Sequence, residues 1–164
     1  MLRIFKISIL LFIYNSCLSQ NSTTSDSSKM TFSVKVNEEK KLSSNDITLT
    51  LEFKNVSSSS IKILDVFVPM PVFFSIKIVK NDGSVITPPG GGKIAFSKDS
   101  LPLIEILSNR SYIKQFNLGG VLKSYGIVLP EGMYKLNMSY HNQYGKDCIK
   151  GWFNSNEISF KVAD

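Results

Sequence analysis

The chain has 164 residues, of which 43% are hydrophobic and 20% charged, and its formal net charge is +6. That balance excludes a disordered polymer, and the lack of any apolar run of about 18 residues excludes a membrane-spanning helix. Arg3 and Arg110 are the only arginines and the lysines are scattered, so the sequence offers no basic stripe of arginine forks for nucleic acid and implies no nucleic-acid partner.

In chain order, Arg3 and Lys6 precede an apolar run from Ile7 to Tyr14, followed by Asn15, Ser16, Cys17, Leu18 and Ser19. A charged start, a short greasy middle and a small-residue end make the layout of a secretory signal peptide over residues 1–19. Two processing modes fit. In the preferred one, cleavage falls before Cys17, which then carries acyl chains as the lipid attachment residue and holds the chain to a membrane through that anchor only. In the other, cleavage after Ser19 frees the chain into the periplasm or medium. Residues 20–30, rich in Ser and Thr, read as a flexible tether. About 135 residues then remain, one ordinary domain, and losing Arg3 and Lys6 lowers the charge to about +4. Cys148 is the lone cysteine of that domain, so its core must hold without an internal disulfide.

From Thr31 the pattern is alternation with period two. Phe32, Val34 and Val36 alternate with polar residues, and Ile47, Leu49, Leu51 and Phe53 do so more clearly still. Asn55–Ser60 is a turn, Ile61 and Ile63 resume a strand, and Pro69 and Pro71 interrupt it. Residues 74–79 form the next strand and Asn81-Asp82-Gly83 a hairpin turn, because these residue types tolerate positive φ. Residues 88–92 read as a loop, 103–107 as a short apolar strand, 112–118 as another, and 119–125 as one short helix at most. Tyr134, Leu136, Met138 and Tyr140 share a face of a long strand, His141 to Trp152 reads as a loop, and Ile158, Phe160 and Val162 close the chain. Seven to nine short strands with almost no helix predict an all-β antiparallel sandwich over residues 31–164.

The order of Ile47–Phe53, Asn55 with its serines, Phe74–Val79 with Asn81-Asp82-Gly83, Pro130-Glu131-Gly132-Met133-Tyr134, and Trp152 with Ser155–Val162 resembles bacterial exported immunoglobulin-like domains. It is also similar to the sandwich of the intracellular proteinase inhibitor of bacilli and to the β-domain preceding deuterolysin-type metalloproteases. The resemblance implies an immunoglobulin-like β-sandwich with a corner at Pro130–Tyr134, where the tyrosine hydroxyl bonds back to the backbone. It carries no inhibitory residue onto this chain.

Candidate chemistry is sparse. Thr87-Pro88-Pro89-Gly90-Gly91-Gly92-Lys93 fails as a phosphate loop, since Thr87 stands where the first Gly belongs and Ile94 where Ser or Thr must follow the lysine. His141, Asp147 and Cys148 fall in one stretch, yet His141 is the single histidine, so neither a nucleophile–base pair nor a zinc set is completed. His141 is expected partly exposed and Cys148 packed as a small apolar residue. Trp152, near Tyr140, Tyr144 and Phe153, reads as an aromatic lid or a glycan or protein contact, and Asp65, Glu105 and Glu157 as lone carboxylates. The sequence therefore assigns no catalytic, cofactor-binding or metal-ligating residue. It predicts a non-catalytic binding or structural module of the cell envelope with a protein or glycan partner, or alternatively a secreted proteinase inhibitor acting through a loop such as 88–92 or 141–152.

Overall fold

The computed structural model describes residues 26–37, 42–67, 73–89, 101–142 and 146–163. The leader with Cys17, the glycine part of the 88–92 loop, Pro69, Pro71 and Tyr144 lie outside the described residues. The described residues form an all-β antiparallel sandwich with one short helix. Its strands are β1 (Met30–Val36), β2 (Thr48–Asn55), β3 (Ile61–Leu64), β4 (Phe74–Lys80), β5 (Val85–Ile86), β6 (Leu103–Ile106), β7 (Ser111–Asn117), β8 (Gly132–His141), β9 (Trp152–Asn154) and β10 (Ile158–Val162). Ten strands exceed the seven to nine expected because β5 has two residues and β9 three, too few to produce an alternation readable in sequence.

One sheet runs β1-β2-β7, and the ladder of β2 with β7 resumes beyond their turns as the pair β3 and β6. The opposing sheet runs β10-β8-β4-β5, with β9 paired to β8 on the same side as β10. The inward set of β8, Tyr134, Leu136, Met138 and Tyr140, is wholly buried, as are Leu49, Leu51 and Phe53 of β2. Aromatic rings join the two layers: Phe53 meets Tyr140 edge-on at 5.1 Å between centroids, and Phe74 meets Phe116 at 5.5 Å. Such pairs add about 0.5–1.5 kcal/mol each beyond their burial.

Local chemistry fixes the connections. Gly83 takes φ +85° in the tight turn between β4 and β5, where Asp82 accepts from the backbone N–H of Ser84 at 2.9 Å. Asn55 ends β2 fully buried; its amide donates to the carbonyls of Ser59 (2.7 Å) and Ile106 (3.0 Å), and its oxygen accepts from the N–H of Ser57 (2.9 Å). The helix α1 (Leu118–Ser124) starts at Asn117, whose side chain accepts from the N–H of Gly120 at 2.7 Å, and buries Leu118 and Leu122. The Tyr134 hydroxyl donates to the Pro130 carbonyl at 2.7 Å, so the corner bond forms with Glu131 intervening.

The segment read as a tether is docked at its end. Asp26–Ser28 forms a single 3-10 turn, the Asp26 N–H donates to the Lys150 carbonyl at 2.8 Å, and Met30 is buried within β1. Residues 26–30 thus belong to the sandwich. The serines conceal this because the anchoring contacts lie more than a hundred positions away in the chain.

Candidate functional site

Where β8 leaves the sheet, three consecutive residues point to different tasks. Tyr140 faces the core, and its hydroxyl lies 2.8 Å from the Leu64 carbonyl and 2.9 Å from Oδ1 of Asn142. That Asn142 oxygen also accepts from the Leu64 N–H at 3.1 Å, and the Asn142 amide donates to the Ile149 carbonyl. A buried tyrosine and a buried asparagine thereby tie β8, β3 and the segment leading into β9 together. Burial pushes the Tyr140 hydroxyl far above its ordinary range, so it stays a neutral donor. This cluster is filled and structural.

His141 sits between them in sequence and on the other face of the sheet, directly opposite Trp152 in the β8–β9 register. Its exposure is 3%, against the partial exposure expected, because the Trp152 ring lies on the imidazole. Trp152 itself remains 53% exposed. The aromatic group read from the sequence therefore divides: Tyr140 and Phe153 pack together in the core, while Trp152 stands outside it on a strand rather than closing the end of the sandwich as a lid.

Asp147 adopts positive φ (+57°) in the turn after the segment outside the described residues. Cys148 is half-buried, with its sulfur 3.7 Å from the Lys150 ammonium. Burial raises its thiol above the usual value, and the nearby ammonium opposes that rise only in part. Cys148 sits under a shallow groove of about 330 Å³ whose walls include Asp26, Lys29, Lys62 and Asp147. Parity along β8 turns His141 to the face away from Tyr140, while the Cys148 sulfur lies 3.9 Å from the Asn142 carbonyl. Among the described residues, no three His, Cys, Asp or Glu side chains come together as a metal site.

Two of the three carboxylates read as lone have partners. Asp65 binds Lys114 at 2.9 Å, with that ammonium 4.5 Å from the centre of the Phe67 ring. Burial pulls the Lys114 ammonium down, but the hydrogen bond and charge of Asp65 outweigh it and leave the group above its usual range. Glu157 binds Lys135 at 2.8 Å on the outer face of the five-stranded sheet.

That outer face has a defined order. Parity along β8 turns Met133, Lys135, Asn137, Ser139 and His141 outward, and the ladders set Trp152 beside His141, Asn154 beside Ser139, and Lys77 beside Asn137. The Ser139 hydroxyl donates to Asn154 at 2.6 Å, and Asn137 donates to the Ser155 carbonyl at 3.1 Å. A depression of about 200 Å³ lies between Lys77, Lys135, Asn137 and Glu157. A second, of about 310 Å³, opens beside Trp152 along Thr31 and Asn154. Sequence reasoning singled out Trp152 but missed this row, since only the register brings three strands' polar residues together.

No protein-family model matches the chain, and no curated protein matches it. Solved structures similar to it are distant. The Northeast Structural Genomics Consortium target SoR45 shares 16% identity over 82% of this chain and 86% of that one, with a TM-score of 0.38. The ApaA protein of Bordetella pertussis shares 15% identity over 81% and 93%, with a TM-score of 0.38. A β-glucosidase of Erythrobacter marinus shares 8% identity over 82% of this chain but 15% of its own, with a TM-score of 0.43.

Proposed function

We propose that this chain is an exported, non-catalytic binding module of the cell envelope, an immunoglobulin-like sandwich anchored through a lipid on Cys17. The leader's charged start, its apolar run and the serine-rich stretch after Cys17 support the address. The observation that carries the binding reading is Trp152, held half out of the surface on a strand whose ladder to β8 fixes its backbone. A large aromatic side chain left in water at a rigid position loses little conformational freedom on meeting a partner.

The intact mass of the mature protein from its native host tests the address. A diacyl or triacyl adduct on Cys17 is expected. A chain starting at Gln20 without an adduct overturns the anchor, and one retaining Met1 overturns export as well. Capture from envelope extract tests the activity: a partner lost with Trp152→Ala is expected. Hydrolase turnover by the purified protein, with no captured partner, overturns the non-catalytic reading.

A further inference from the structure

We propose that the outer face of the β10-β8-β4-β5 sheet binds an acidic oligosaccharide laid along β8, with one sugar ring seated on Trp152. This deepens the binding reading above by naming the partner's chemistry, and it rests on that reading.

The geometry begins with spacing. Successive outward positions on a strand are about 6.7 Å apart, so the row from His141 through Ser139 and Asn137 to Lys135 extends for about 20 Å. Trp152 occupies one end of that row, half exposed, its ring set against that of His141 at an angle of 42°. The middle carries hydroxyl and amide groups at Ser139, Asn154 and Asn137, the donor and acceptor types that match sugar hydroxyls. The far end is cationic: Lys77 and Lys135 line the depression there, Lys161 stands two pairs beyond opposite Met133, and Glu157, bound to Lys135, is the carboxylate among them. An aromatic platform, a polar middle and a positive end laid out in one line fit a chain of hydroxyl-bearing rings that carries carboxylates.

The alternatives fit less well. An anionic bilayer would use the lysines but gain nothing from the hydroxyl and amide row, because that row inserts no aliphatic wedge. A protein partner would be expected to bury a contiguous apolar centre, whereas the row from Trp152 to Lys135 is polar and the outward apolar side chains Val79, Val85 and Met133 lie beside and beyond its cationic end.

Trp152 is the only tryptophan in the sequence, so its emission reports on this face alone. The mature protein is titrated with oligogalacturonate, with a neutral cello-oligosaccharide of equal length, and with phosphatidylglycerol vesicles. The expected result is a saturable change in emission with oligogalacturonate that weakens as salt is raised and is at least tenfold smaller in affinity for the neutral oligomer. By calorimetry, Trp152→Ala and, separately, Lys77→Glu should each weaken oligogalacturonate binding about tenfold or more, a loss equivalent to about 1.4 kcal/mol. Lys77 is exposed and away from the core, so that variant keeps the test valid if Trp152→Ala disturbs β9. No response to oligogalacturonate, a response to the vesicles alone, or binding unchanged in both variants overturns the inference. Because the mass measurement reads Cys17 independently, an acylated protein that ignores oligogalacturonate sinks this inference and leaves the anchor standing.

Discussion

The side chain of Asn156 pairs with the backbone of Val34 across the two sheets: the Val34 N–H donates to Oδ1 at 2.8 Å, and Nδ2 donates to the Val34 carbonyl at 3.1 Å. Val34 lies on β1, the open edge of its sheet. The bonds from Asn37 to Thr48 and from Val56 to Lys29 show which residues of β1 face β2, and Val34, of opposite parity, faces outward. Asn156 can reach it because β9 and β10 are one strand interrupted by a bulge. The β8 register changes by one residue between Ser139 opposite Asn154 and Leu136 opposite Ile158. Ser155 fills the gap, its hydroxyl accepting from the Met138 N–H at 3.0 Å. The bulge thus blunts an edge and clips the sandwich shut.

Removing the clip leaves both Val34 backbone groups without that partner. Asn156→Ala is expected to lower stability by about 1–2 kcal/mol, read as a shift of the urea midpoint with an unchanged slope. Asn156→Asp should cost nearly as much, since a carboxylate still accepts from the Val34 N–H but cannot donate to its carbonyl. Equal stability in all three proteins would remove the clip from the account.

Alkali should unfold the protein through its buried tyrosines. Burial raises the Tyr140 hydroxyl well above its ordinary 10.0, and burial with the nearby charge of Asp82 moves Tyr134 the same way. Above that value the unfolded chain sheds protons that the folded chain keeps. The unfolded state then binds fewer protons, so stability falls as pH rises and is fully present below. The expected profile starts to fall at about pH 8, where the unfolded Cys148 thiol ionises before the buried one, and steepens above about pH 9, by up to about 1.4 kcal/mol per pH unit for each group held neutral. Tyr140→Phe should flatten the fall while lowering neutral-pH stability by about 1 kcal/mol. Denaturant midpoints measured across this range check both effects.

The two glycines of α1 should respond differently to alanine. At Gly119 a Cβ would meet the Asn45 carbonyl well inside contact distance and the Ser44 carbonyl at 2.9 Å, and both are backbone. Gly119→Ala is expected to lower stability by about 2 kcal/mol or more by forcing the helix off that segment. At Gly120 the Cβ meets only the side chain of Asn117, 2.8 Å from its amide nitrogen. That side chain can move, and its lost cap of about 1 kcal/mol is offset by the gain of about 0.5–1 kcal/mol from replacing a helical glycine. Thermal midpoints should place Gly120→Ala near the native protein and Gly119→Ala far below it.

The alternation of Tyr134, Leu136, Met138 and Tyr140 stated both the strand and its buried face, and Asn81-Asp82-Gly83 stated the hairpin. These features are local, set by side-chain period and turn geometry. The bulge at Ser155–Glu157 and the strand at Trp152–Asn154 were not legible, because each exists only through its register with β8. The depth of His141 was hidden for the same reason: the ring that covers it is eleven positions further along the chain. Lys114 is a different case. It occupies an inward position of β7 between Tyr112 and Phe116, and only the fold brings Asp65 and Phe67 to its ammonium.

Cys148 offers a chemical readout of the region where the chain enters the sandwich. Burial raises its thiol above the ordinary 9.0, so less thiolate is present near neutrality than in the unfolded chain. The Lys150 ammonium at 3.7 Å works against burial, holding the thiol lower than it would otherwise lie. Iodoacetamide should therefore alkylate Cys148 several-fold more slowly in the folded protein than in urea, and Lys150→Ala should slow it further. Each full unit of rise removes about nine-tenths of the remaining thiolate. Mass analysis of the peptide carrying Cys148 separates it from Cys17. Faster alkylation in Lys150→Ala would mean that the lysine acts as a cover over the sulfur rather than through its charge. The Asp26 carboxylate, which hydrogen-bonds Lys29 and the Lys150 N–H, would then be the group holding that cover in place.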